Sequence, residues 1–135
     1  MTGQIQAPGV AKSVLLVDDN RLSRMMFENF LQQLGVETKC VENGQEAVDV
    51  IVNGYRPSLI LMDVEMPVMD GIEATQHIRQ WEKEHLQRSV PIIAVTGNAY
   101  LEDRSRCLAA GMNEFLAKPV GLQHFKDVLD NWMAK

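Results

Sequence analysis

Five short apolar runs recur along the chain, and between them the apolar positions spread out to a helical spacing. Ser13–Val17, Leu59–Met62 and Val90–Val95 are almost unbroken. Runs of that length suit strands buried on both faces, as in a parallel sheet between helix layers. Val36–Val41 mixes polar and apolar residues and reads as an edge strand, and Glu114–Ala117 as a short last one. Pro91 is tolerated near a strand start, where a missing donor matters less. The first interval carries Phe27, Phe30, Leu31 and Leu34 at i, i+3, i+4 and i+7, with Asn20 as N-cap and Gly35 as stop. Asn43-Gly44 opens a second helix that turns Ala47, Val48 and Ile51 inward and ends near Asn53-Gly54. A third runs from about Ile72 to Glu84 with Ala74, His77, Ile78 and Trp81 on one stripe. The fourth, about Ala99 to Ala110, has only Tyr100, Cys107 and Leu108 as a thin stripe, and Gly111 ends it. The last, about Leu122 to Met133, places Phe125, Val128, Leu129 and Trp132 together.

Strict alternation of five strands and five helices predicts an α/β fold, a doubly wound five-stranded parallel sheet with right-handed crossovers. The intervals leave no room for a second domain. Residues 1–12, with Pro8-Gly9 and few large apolar side chains, read as a flexible lead-in or linker, and 13–135 as the domain. The net charge of −5 argues against nonspecific binding to nucleic acid or an anionic membrane. No apolar run approaches the roughly 20 residues of a membrane span, and no signal peptide is visible. Cys40 and Cys107 fit no metal or redox spacing, which is the pattern of reduced thiols in a cytoplasmic protein. The glycine fingerprints of dinucleotide and nucleoside triphosphate sites are missing.

Ligands of such sheets sit beyond the carboxyl ends of the strands. There the first strand delivers Asp18 and Asp19, the third Asp63, the fourth Thr96 and the fifth Lys118. Each alone is ordinary; together they form one rim. Three clustered carboxylates repel one another and call for a cation. All-oxygen ligands suit a hard ion such as magnesium, which also binds phosphate oxygens. A hydroxyl and an ammonium opposite it match the charge on a transferring phosphoryl group, and a carboxylate is an established nucleophile for making aspartyl-phosphate.

At this point the chain resembles the receiver domain of two-component response regulators, over about residues 13–134. The carriers are Leu16-Val17-Asp18-Asp19-Asn20, Met62-Asp63-Val64-Glu65-Met66-Pro67-Val68-Met69-Asp70-Gly71, Val95-Thr96-Gly97-Asn98-Ala99 and Lys118-Pro119. The resemblance implies a flavodoxin-like fold with strand order 2-1-3-4-5. It implies that Asp63 accepts phosphate from a phosphohistidine, and that Asp19, Asp63 and the Glu65 backbone carbonyl bind magnesium while Asp18 helps mostly through water. Thr96 and Lys118 are then expected on the phosphoryl oxygens, Thr96 and Phe115 as switch residues, and a cis Lys118-Pro119 bond. The stretch Met62 to Arg79 looks most like receivers attached to hybrid sensor kinases, so the implied partner is a histidine kinase or histidine-phosphotransfer domain. The expected state is a monomer or weak dimer in the cytoplasm, free or tethered to a membrane-bound hybrid kinase. With no segment after the last helix, no attached output domain is expected. The chain is read as no enzyme beyond promoting transfer to and hydrolysis from its own Asp63.

Three positions depart from the family pattern: Gly97 follows Thr96 where many members carry alanine, Phe115 lacks the hydroxyl of a tyrosine, and Gly121 stands at the last N-cap. Helix four, strand five and helix five are the expected output face. Histidine-donor docking is expected on the first helix near the rim, through Leu22 and Met25 or Met26. Two other classes share part of the pattern. A magnesium-dependent phosphatase with an aspartate nucleophile usually places Asp-x-Asp on an early strand under a cap, whereas residue +2 here is Glu65. A phosphate-independent receiver-like module would not need the intact acidic set and Lys118.

Overall fold

A computed structural model describes residues 12–97 and 101–133. Five strands, β1 (Ser13–Val17), β2 (Glu37–Val41), β3 (Leu59–Asp63), β4 (Ile92–Thr96) and β5 (Glu114–Ala117), form one parallel sheet in the order β2-β1-β3-β4-β5. The helices α1 (Arg21–Gln33), α2 (Gly44–Val52), α3 (Gly71–Glu84), α4 (Leu101–Ala110) and α5 (Leu122–Met133) alternate with them. The lead-in expected at residues 1–12 lies, apart from Lys12, outside the described residues, as does Tyr100.

Alternate strand residues feed two apolar layers. Val14, Leu16, Leu59, Leu61, Ile93 and Val95 face α1 and α5, where Phe27, Phe30 and Phe125 meet with ring centroids 5.3–6.2 Å apart. Leu15, Val17, Ile60, Met62, Ile92 and Ala94 face smaller side chains: Ala47 and Ile51 of α2, Ala74 and Ile78 of α3, and Cys107 of α4. Each fully buried large side chain contributes about 1.5–3 kcal/mol.

The sequence signals set the helix starts. Asn20, Asn43 and Asp70 are N-caps whose side chains accept from the backbone N–H of Ser23, Glu46 and Glu73. The Gly121 carbonyl accepts from Phe125 N–H, as an N-cap carbonyl does. Gly35, with φ +73°, and Gly111, with φ +112°, take the left-handed conformation just past α1 and α4.

The readings differ in phase at two helices. On α3 the buried face is Gly71, Ala74, Thr75, Ile78 and Glu82, while His77 is exposed and sits 3.7 Å from Glu73. Trp81 is half-buried under Arg56. Leu108 of α4 is exposed, and Ala110 replaces it in the buried stripe. Pro91 precedes β4, where its carbonyl accepts from Ile60 N–H at 2.9 Å.

Away from the rim, Arg79 joins three elements. Its Nη1 lies 2.8 Å from the Glu82 carboxylate, Nε donates to the Gly111 carbonyl at 2.9 Å and Nη2 to Asn113 Oδ1 at 2.9 Å. Asn113 Oδ1 also accepts from Ile92 N–H. The C-terminal end of α4 is thereby fastened to α3 and β4.

Candidate functional site

The carboxyl ends of the strands bring every expected rim residue to one side of the molecule. Val17 pairs with Met62, so Asp18 follows at the level of Asp63, and Asp63 pairs with Val95, one residue before Thr96. Thr96 in turn pairs with Ala117, and its carbonyl accepts from Lys118 N–H at 2.8 Å. Carboxylate oxygens of Asp18, Asp19 and Asp63 all lie within 4.8 Å of one another. Asp18, Asp63 and Thr96 are buried; Asp19 and Glu65 are exposed. The Lys118-Pro119 bond is cis.

Buried charge at this density is costly unless partnered. Asp18 finds partners: its Oδ1 accepts from Asn20 N–H at 2.8 Å and its Oδ2 lies 3.5 Å from Lys118 Nζ. Asp63 does not fare as well. Burial, the neighbouring negative charge of Asp18, a hydrogen bond between the two carboxyls and the charge of Asp19 push its pKa up to about 7, against the lowering pull of Lys118. An all-oxygen, carboxylate-rich set in which one member's pKa is raised for want of positive charge fits a hard divalent cation.

The approach to the site depends on Gly71. A Cβ there would overlap the Asp63 backbone carbonyl and the Met62 side chain, so only glycine lets α3 start against the end of β3. Its N–H donates to the Val64 carbonyl at 2.9 Å and closes the connecting loop. Two rim residues escape the sequence reading. Ser23 Oγ lies 3.3 Å from Lys118 Nζ, and Arg24 Nη1 donates to the Asp18 carbonyl at 2.8 Å. Their signal is positional: both fall in the first turn after the Asn20 cap, facing the acidic pair.

The profile of the response regulator receiver domain matches residues 14–130. The chain belongs to that family. It is a receiver domain of the phosphorelay type. GacS, a sensor protein of Pseudomonas syringae pv. syringae, is 39% identical over 122 residues, a match that takes in 90% of this chain and 13% of that protein. The chain thus spans a small part of the curated relative it matches. The receiver domain of the sensor histidine kinase PA1611 from Pseudomonas aeruginosa PAO1, crystallised with a magnesium ion in its active-site cleft, is 39% identical with a TM-score of 0.82, covering 93% of this chain and 99% of that one. The Saccharomyces cerevisiae receiver domain of Ssk1, solved in complex with the histidine phosphotransfer signaling protein Ypd1, gives 34% identity and a TM-score of 0.85, covering 91% and 89%. Receiver membership sets the phosphatase reading aside, and no helix of the described residues is long and apolar enough to cross a membrane.

Proposed function

We propose that Asp63 accepts a phosphoryl group from a phosphohistidine, with magnesium held by Asp19, Asp63 and the Glu65 backbone carbonyl and steadied through Asp18. The observation that carries this reading is the convergence of three carboxylates within 4.8 Å, with Lys118 3.5 Å from Asp18. Bound there, the cation would neutralise the developing charge on the phosphoryl oxygens. Asp63 must act as carboxylate, so its raised pKa means that loading the site releases a proton. Its oxygen then attacks phosphorus, the P–N bond to the donor imidazole breaks, and that nitrogen takes up a proton as it leaves. Lys118 swings from Asp18 toward the new charge, and the Thr96 hydroxyl serves a phosphoryl oxygen. Water attack at the same phosphorus would break the Asp63 O–P bond, release inorganic phosphate and return the carboxylate.

The donor is a histidine kinase or histidine-phosphotransfer domain. Leu22, 75% exposed, and Met25, 53% exposed, offer it an apolar patch beside the rim, whereas Met26 is half-buried. The Ypd1–Ssk1 complex supports a phosphotransfer partner of this kind. The output face is α4, β5 and α5: inward movement of Thr96 would leave space for Phe115, which pairs with Ala94 and packs on the α2–α4 layer. The place of action is the cytoplasm, as a monomer or weak dimer. Incubation with acetyl phosphate and magnesium should add one phosphate by intact mass, and Asp63→Ala should abolish the gain while keeping a cooperative melt. An Asp63→Ala protein that still gains a base-labile phosphate sinks the assignment.

A further inference from the structure

At the opposite end of the sheet the chain leaves a cleft of about 580 Å³ that phosphoryl transfer does not use. It lies below the N-terminal ends of β1, β3 and β4, bounded by Tyr55, Arg56, Trp81, Arg88 and Trp132. Its charge runs against that of the chain, whose net value is −5. Arg56, Arg88 and Lys12 all border it, and the one acid lining it among the described residues, Glu82, is neutralised by Arg79 and accepts from Val90 N–H at 2.9 Å. Among the described residues three cations therefore border the cleft, and the Glu114 carboxylate at its Trp132 end is engaged by Trp132 Nε1.

The aromatic groups are held in place. Arg56 Nη1 donates to the carbonyls of Ile51 and Tyr55 at 3.0 and 3.1 Å, which sets the guanidinium over the Trp81 ring, 4.5 Å from its centroid. His85 stacks on the same indole at 4.7 Å. At the other end, Trp132 Nε1 donates to Glu114 at 3.1 Å. A guanidinium plane layered on an indole is a flat, positively charged platform. The volume falls within the range of small-ligand sites, about 300–1,000 Å³.

We propose that this cleft binds a planar aromatic anion, a ring bearing a phosphate or a carboxylate. The ring lies between the Arg56 plane and Trp132, and the anionic group meets Arg88 and Lys12, with Ser58 and Ser89 as further polar neighbours. The inference is independent of the receiver chemistry, since no residue in it touches the rim.

The chain's two tryptophans both border the cleft, so their indole N–H signals in a proton–nitrogen correlation spectrum report on it directly. The full chain is titrated with adenosine 5′-monophosphate and, separately, with indole-3-acetate; adenosine and inorganic phosphate serve as half-ligands. The expected result is saturable movement of both indole signals by at least one of the two anions, with a midpoint below about 1 mM and at least tenfold weaker response to either half-ligand. Response to the nucleotide alone assigns phosphate, and to the indole acid alone carboxylate. Arg88→Glu and Arg56→Gln should each weaken the midpoint tenfold or more while phosphate uptake from acetyl phosphate stays unchanged, and Arg88→Glu should also leave the melting temperature where it was. No saturable movement with either anion, equal response to a half-ligand, or midpoints indifferent to both substitutions would overturn the proposal.

Discussion

Two buried carboxylate sites lie at opposite ends of the same sheet, and they are solved in opposite ways. Glu82 is buried on α3, yet Arg79 and the Val90 N–H take up its charge and lone pairs. Asp63 is buried at the end of β3, surrounded by two further acids and left with a pKa near 7. The first arrangement is complete as it stands and holds the fold together. The second is left short of positive charge, and on the proposed reading a cation and a phosphoryl group complete it, which would release free energy on binding.

The largest effect is expected where the completed site is broken. Glu82→Ala leaves the Arg79 guanidinium half-buried with one partner gone and the Val90 N–H without its acceptor. A loss of about 3 kcal/mol is expected in urea unfolding; a loss below about 0.5 kcal/mol would erase the contrast between the two ends.

At the rim the sign should reverse. Asp63 binds its proton more tightly folded than unfolded, from an ordinary value of 3.8 up to about 7. Its contribution to stability is therefore fully present below about pH 4 and is lost as pH rises through about 7. Without divalent ions, Asp63→Asn should thus raise the melting temperature at pH 8 by about 5 °C and by much less at pH 5. Millimolar magnesium should close the gap at pH 8 by stabilising the unsubstituted protein alone. A substitution effect that is flat between pH 5 and 8 would show that the carboxylate is not electrostatically frustrated.

Strain sharpens the same comparison. Val68, in the loop between β3 and α3, has φ +71° while its side chain is 80% exposed. A β-branched residue in the left-handed region costs about 1 kcal/mol with no packing in return. Val68→Asn should stabilise by roughly that amount, seen as a shifted urea midpoint with an unchanged slope. The smallest effect is expected at Thr75, buried on α3, whose hydroxyl has no hydrogen-bond partner among the described residues. Thr75→Val should be neutral or stabilising by about 0.5 kcal/mol; a clear loss would mean that the hydroxyl is satisfied in solution.

The rim was readable in the chain because each of its members follows an apolar run, and in a parallel sheet all run ends gather on one side. The acidic set needed no more than that, whereas the strand order followed only from the resemblance to receiver domains. The α3 stripe was misjudged for the converse reason. Its inward positions include two polar residues, Thr75 and Glu82, and the burial of Glu82 depends on Arg79 and on the segment before β4. His77 and Trp81 drew the reading one position round the helix. Ser23 lies 95 residues from Lys118 along the chain, a contact that no local pattern announces. The cleft of Tyr55, Arg56 and Arg88 is assembled from connections, where apolar spacing carries no signal.

The Arg79 clamp gives α4 a fulcrum. The helix is fastened where it ends, at Gly111 and Asn113, and its opposite end leads back toward Thr96. Ten residues at 1.5 Å rise make a lever arm of roughly 15 Å. A swing of roughly ten degrees would carry the far tip by about 2.5 Å, while the neighbourhood of Cys107, four residues from Gly111, would travel about 1 Å. If Thr96 moves as proposed, leverage of this kind would spread that adjustment as a graded displacement along the helix, with the core beneath its anchored half scarcely disturbed.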